Sequence, residues 1–145
     1  MAGELWYPTA VRRPISVNFD RGKMGKGKPT TFNPHCQVGN GSLFGRFNNP
    51  TVKASTHLWV AKDGRIEQYV SFADRAWGQG PGNSFCISAE AEGFPGEPYT
   101  DGQLDRLAEI FAWGRARWGW PVQLEASRGA GGIGAHLTYM ATKCP

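Results

Sequence analysis

The sequence predicts an α/β domain, a sheet of short strands with one long helix packed on it. Three observations carry this. Residues 84–92 alternate between apolar and small or polar side chains. Two short apolar runs meet across Lys62-Asp63-Gly64. A capped amphipathic stretch opens at Thr100. The chain has 145 residues, the size of one domain, taken here as residues 1–145. With 40% apolar residues, six Trp and eight Phe, it can bury a core and is not disordered throughout. No run approaches the roughly 18 apolar residues of a membrane span. Residues 1–14 lack the apolar stretch of a signal peptide. A product made in the cytoplasm, dependent on outside help for export, is the expectation.

Residues 1–14 read as an irregular lead. Ile15–Phe19 is expected as a short strand with Ile15, Val17 and Phe19 on one face. A glycine-spaced lysine loop follows. Thr30–Asn33 is extended, because Pro34 biases Asn33 away from helix, and His35 falls where that strand ends. Cys36–Gly45 is a polar, glycine-rich loop with room for a helical turn. Thr56–Ala61 and Arg65–Val70 form a hairpin, with Leu58 and Val60 on one face and His57 and Trp59 on the other. Residues 73–83 are a loop. In the next strand Phe85, Ile87, Ala89 and Ala91 oppose Ser84, Cys86, Ser88, Glu90 and Glu92. One small, polar face over an apolar back suits the wall of a cleft. Thr100 caps a helix with Gln103 as its box partner. Leu104, Leu107, Ala108, Phe111 and Trp118 then form its apolar stripe, and Gly119 and Pro121 stop it. Val122–Leu124 is expected as an edge strand. The glycine-rich residues 127–134 deliver His136 on a loop or short helix.

The net charge is +4 and the pI near 9.2. Such a balance suits a polyanionic partner or simple solubility. The lysine loop lacks the interleaved aromatics of a nucleic-acid groove, so no nucleic-acid partner and no membrane insertion are expected. Three cysteines, Cys36, Cys86 and Cys144, do not make a complete disulfide framework. Only His35, His57 and His136 are available as imidazoles. Catalytic zinc sites use three protein ligands of His, Cys or carboxylate type and keep one position open. His136 and Cys144 are close enough in sequence to share an ion. His35, from a strand end, would tie the two ends of the sheet together. A lone histidine or a terminal thiol is otherwise an ordinary structural residue, and no Cys-x-x-Cys pattern occurs.

Several ordered stretches turn this set into a sharper reading. They are Ser55-Thr-His57-Leu58, Lys62 to Val70, Asp74-Arg-Ala-Trp77, Asn83 to Gly93, Tyr99-Thr-Asp-Gly-Gln103 and Thr142-Lys-Cys-Pro145. Together they resemble the N-acetylmuramoyl-L-alanine amidases of the second type, a family of phage endolysins, bacterial anhydro-muropeptide amidases and peptidoglycan-recognition proteins. The resemblance runs from about residue 30 to the end. It implies a mixed central sheet flanked by helices, with Zn²⁺ in a surface groove held by His35, His136 and Cys144. It implies Glu90 as the carboxylate that moves the proton, in keeping with its place on the polar face of its strand.

Further roles follow from the same resemblance. Thr142 or Lys143 would steady the oxyanion. His57 would orient water, support a ligand or line the groove. Trp77 and Asn83 would contact glycan or peptide, although Trp77 also suits the core. The chain departs from the family where Thr56 replaces a tyrosine and where Gly78 replaces a histidine, a loss that Gln79 would make good as a substrate contact. It also departs at Cys36, after the first ligand. The implied activity is hydrolysis of the amide between the lactyl group of N-acetylmuramic acid and L-alanine of the peptidoglycan stem. A monomeric phage endolysin, reaching the wall after a holin opens the membrane, is the expected role. A wall-binding module without catalysis would be insensitive to chelation. A basic nucleic-acid-binding protein would bind in a steeply salt-dependent way without zinc.

Overall fold

A computed structural model describes residues 3–25, 28–142 and 144. The strands are β1 (Val11–Arg12), β2 (Phe19–Asp20), β3 (Thr31–Cys36), β4 (Leu58–Val60), β5 (Ile66–Gln68), β6 (Arg75–Ala76), β7 (Cys86–Ala91) and β8 (Gly132–Ile133). The helices are α1 (Phe44–Phe47) and α2 (Asp101–Trp118). Six strands form one mixed sheet in the order β1-β5-β4-β7-β3-β8, and β2 and β6 make a separate antiparallel ribbon. Only β4 and β5 run antiparallel within the large sheet. β7 is central, parallel to both β4 and β3, and buried on both faces.

Strand alternation divides the two faces. Phe32, Leu58, Val60, Ile87 and Ala89 pack against Leu107, Ile110 and Trp120 from α2 and its exit. On the opposite face Trp59, Ala61 and Tyr69 pack against Ile15, Leu43 and Phe47, which bring in α1. The helices thus flank the sheet as the resemblance implies. Asn33, His35, Ser88 and Glu90 alternate onto the α1 side.

Pro34 lies inside β3, where a proline is usually excluded. The N–H groups of Thr31 and Gln37 point toward β7, to Phe85 O and Ala91 O. Pro34 is therefore turned to the outer edge. β8 pairs only with Thr31 and Phe32, so the missing donor falls beyond the last ladder bond. This leaves the edge beside His35 open to whatever follows β8.

The cap of α2 is as expected: Thr100 Oγ1 accepts from Gln103 N, and Thr100 N donates to Gln103 Oε1. The stripe is rotated from the expected one. Gln103, Leu107, Ile110 and Gly114 are buried, whereas Leu104 is 51% exposed. Gln103 faces inward because its Nε2 donates to Glu92 O at 2.8 Å, tying the helix start to the end of β7. Gly114 is required by Trp120: a Cβ there would lie 2.1 Å from the indole ring.

Three strand expectations change. Ile15–Val17 is bent, with Ile15 N donating to Tyr69 O, and only Phe19–Asp20 pairs, as β2 with β6. The irregular lead contains β1, paired with β5. Val122–Leu124 forms no strand; one bridge joins Leu124 to Ile133, and Val122 and Leu124 are 74% and 79% exposed.

His57 does not line a groove. It is 1% exposed. Its Nδ1 accepts from Ser88 N at 3.2 Å and its Nε2 donates to Asp74 O at 3.1 Å. Both nitrogens are satisfied inside the protein, so it is a structural histidine of β4. The sequence left this open because it does not reveal that both faces of β4 are covered.

Two predictions follow from this packing. Gly114→Ala should destabilise the fold by about 1–3 kcal/mol through overpacking, despite the gain in helix propensity; an unchanged thermal midpoint would contradict the Trp120 contact. Burial pushes His57 down to about 4 from an ordinary 6.5. Between those values the unfolded chain binds a proton that the folded chain refuses, so stability falls as pH drops through that window. Thermal midpoints of His57→Gln measured from pH 7 to pH 4 should decline less steeply than those of the parent.

Candidate metal centre

His35 reaches the α1 side of the sheet from the penultimate position of β3, in register with Glu90 of β7. His136 opens a single 3-10 turn, His136–Thr138, after β8. This turn lies next to β3 because β8 is the adjacent strand. The sequence reading had His35 join the two ends of the sheet. It joins two ends of the chain instead, through neighbouring strands.

Glu125 anchors this segment. Its carboxylate accepts from Thr31 Oγ1 at 2.9 Å, from Gly129 N at 3.0 Å and from the Tyr139 hydroxyl. Arg128 Nη2 donates to Tyr139 O. The start of β3, the glycine loop and the residues after His136 are thereby held as one unit. Gly134 is the point of closest approach: a Cβ there would sit 2.1 Å from Asn33 Oδ1. Sequence reading missed Glu125, since an isolated glutamate in a loop carries no periodic signal.

One ligand-capable atom each from His35, His136 and Cys144 lies within 4.8 Å of the other two. Cys144 Sγ is 3.5 Å from His35 Nδ1, and two ligand atoms of a tetrahedral zinc are about 3.5 Å apart by ordinary bond lengths. The imidazole centroids of His35 and His136 are 4.8 Å apart. His136 Nε2 is buried without a partner. Two imidazoles and one thiol are a borderline-soft set suited to zinc.

The electrostatics favour a cation. Burial drives His35 down to about 3, and His136 beside it lowers it further. Burial also lowers His136. Both rings are neutral at pH 7, with lone pairs free. Burial raises the Cys144 thiol, and Glu90 and Cys36 raise it further. Burial pushes the Glu90 carboxyl up to about 8, opposed by the Arg46 guanidinium of α1. Groups that would be anionic in water are thus crowded together in their neutral forms, and a divalent ion would reverse that balance.

A groove of about 540 Å³ opens over this cluster, lined by His35, Glu90, His136, Cys144, Trp77 and Asn83 among others. Glu90 Oε2 is buried there with no partner. Trp77 Nε1 donates to Asp20 Oδ2 at 2.6 Å and Asn83 Oδ1 accepts from Gln79 N at 2.6 Å, fixing both side chains at the wall. Thr142 lines the groove, and its Oγ1 accepts from Cys144 N at 3.1 Å. A neighbouring apolar pocket of about 640 Å³, with Phe94, Pro98, Tyr99 and Leu137, shares Cys36, Thr142 and Cys144 with it. Lys143 lies outside the described residues. Gln79, expected as a substrate contact, is 1% exposed and sits behind the groove wall.

Comparisons with known proteins agree with this geometry. The 1,6-anhydro-N-acetylmuramyl-L-alanine amidase AmpD of Haemophilus influenzae is 39% identical over 67 residues, 41% of this chain and 36% of that protein. The chain spans little more than a third of the length of the curated relatives it matches. Among solved structures, an AmpD derivative superposes with a TM-score of 0.75 at 22% identity, covering 99% of this chain and 89% of the other. The N-acetylmuramoyl-L-alanine amidase LysC from Clostridium intestinale gives 0.68 at 18% identity, covering 96% and 89%. The sequence pattern of the N-acetylmuramoyl-L-alanine amidases matches residues 26–145, most of the chain and all of the donor cluster, and the chain belongs to that family.

Proposed function

We propose that residues 1–145 act as one zinc-dependent catalytic domain that hydrolyses peptidoglycan between the lactyl group of N-acetylmuramic acid and L-alanine of the stem peptide. The observation that carries this reading is the meeting of His35, His136 and Cys144 beside the unpartnered Glu90 carboxyl, at the floor of an open groove. These three residues would hold the ion. Zinc bound there would supply Lewis acidity to the scissile carbonyl and to the attacking water.

Glu90 supplies the proton traffic. Its carboxylate takes a proton from the attacking water and returns it to the departing amide nitrogen. Burial holds that carboxyl near neutrality, the range in which one group serves as both base and acid. A nearby cation favours its ionised form. The Thr142 hydroxyl, whose oxygen already accepts from Cys144 N, keeps its own hydrogen for an oxyanion. Lys143 is retained as an alternative donor from sequence alone. Trp77 and Asn83 are assigned to glycan or peptide contact on the groove wall.

The biological role assigned is cell-wall lysis of the endolysin kind. A second reading, hydrolysis of soluble anhydro-muropeptides, is favoured by likeness to the Haemophilus influenzae amidase. The two differ in substrate. A lysin clears a suspension of intact walls, whereas a recycling enzyme acts only on soluble fragments, and mass spectrometry of the products identifies the bond cut in both.

Glu90→Gln should retain one equivalent of zinc and lose about 100- to 10,000-fold in turnover. Full activity in that variant would remove the proton-transfer role. Chelation should abolish wall clearing, and added zinc should restore it; clearing that survives chelation would contradict the metal reading.

A further inference from the structure

We propose that Gln79 is the positioning residue for His35: its carboxamide oxygen accepts from the Nε2–H of the imidazole, fixing the tautomer whose Nδ1 faces Cys144. The inference rests on the zinc reading above and extends it to a residue behind the groove wall.

The geometry is specific. His35 turns Nδ1 toward Cys144 Sγ at 3.5 Å, which leaves Nε2 on the far side of the ring. Nε2 is buried and completes no hydrogen bond. The Gln79 carboxamide is also buried, with neither Oε1 nor Nε2 partnered. A buried amide left unpaired costs about 1–3 kcal/mol. Gln79 is close enough to His35 to favour the protonated ring, against the larger effect of burial.

The backbone holds Gln79 in this place. Its N–H donates to Asn83 Oδ1 at 2.6 Å and its carbonyl accepts from Gly82 N at 3.0 Å. A Cβ at Gly82 would lie 2.9 Å from Gln79 Cγ, so the side chain packs tightly against that glycine. Oxygen and nitrogen of a carboxamide exchange by a half-turn of the amide. Only the orientation with oxygen toward Nε2–H forms a bond to the ring nitrogen that the metal-binding tautomer protonates. A partner on the non-ligating nitrogen typically fixes tautomer and ring orientation in metal sites.

The test compares wild type, Gln79→Leu and Gln79→Glu by zinc affinity, measured in competition with a chromophoric chelator. Gln79→Leu should bind zinc about 10- to 100-fold more weakly, while Gln79→Glu, which keeps the acceptor oxygen, should stay within several-fold of wild type. Nitrogen-15 NMR of the zinc-loaded wild type should find Nε2 of His35 protonated, a readout that needs no variant to fold. Zinc affinity of Gln79→Leu within twofold of wild type, equal losses in both variants, or an unprotonated Nε2 would overturn the role of Gln79 and leave the zinc reading intact. Failure of the wild type to take up zinc would overturn both.

Discussion

The structure depends on bringing the last residues of the chain against the outer edge of β3. Nothing in β3 alone can complete a metal site, since His35 offers one donor and its strand neighbours face the opposite side. Cys144 comes within 3.5 Å of His35 only because β8 pairs with the start of β3 and then stops. Pro34 keeps the remaining edge free of ladder bonds. The Glu125 network holds the connecting segment, joining Thr31, the glycine loop and Tyr139. Hydrogen bonds to a buried carboxylate are costly to leave incomplete, so this network resists the loosening that would separate His136 from His35.

The two faces of the sheet do different work. Toward α2 the side chains are aliphatic and aromatic, and burial of apolar area stabilises the fold. Toward α1 the face begins with Trp59 and Tyr69 and continues into Asn33, His35, Ser88 and Glu90. Burying that polar row has a free-energy cost that hydrogen bonds offset only in part, since Asn33, His35 and Glu90 each retain an unpartnered atom. Residual cost of this kind is expected where a protein stores polar groups for chemistry rather than for stability. A cation at the His35–His136–Cys144 cluster relieves it, coupling the proposed cofactor to folding as well as to reaction.

What could be read from the sequence was local or ordered. The hairpin, β7 and the Thr100 cap were legible because alternation and capping are properties of adjacent residues. The sheet-and-helix class followed from them, and the family from motifs in a fixed order. The phase of α2 was not legible. Its apolar residues suggest Leu104, but the hydrogen bond from Gln103 to Glu92 O turns a polar residue inward. His57 looked like a groove residue because its flanking residues fit that pattern; partners on β7 and at Asp74 fill both its nitrogens. Gln79 lay in a glycine-rich loop where no spacing marks a buried amide. His35, His136 and Cys144 could be named from the resemblance, but their approach to one another is a property of strand order.

The most direct test replaces zinc by cobalt(II), whose absorption reports both a thiolate ligand and the coordination geometry. The account predicts one equivalent of cobalt, tetrahedral ligand-field bands and a sulfur-to-metal charge-transfer band that disappears in Cys144→Ser. A protein that takes up no cobalt, or one whose charge-transfer band is untouched by loss of Cys144, would contradict it.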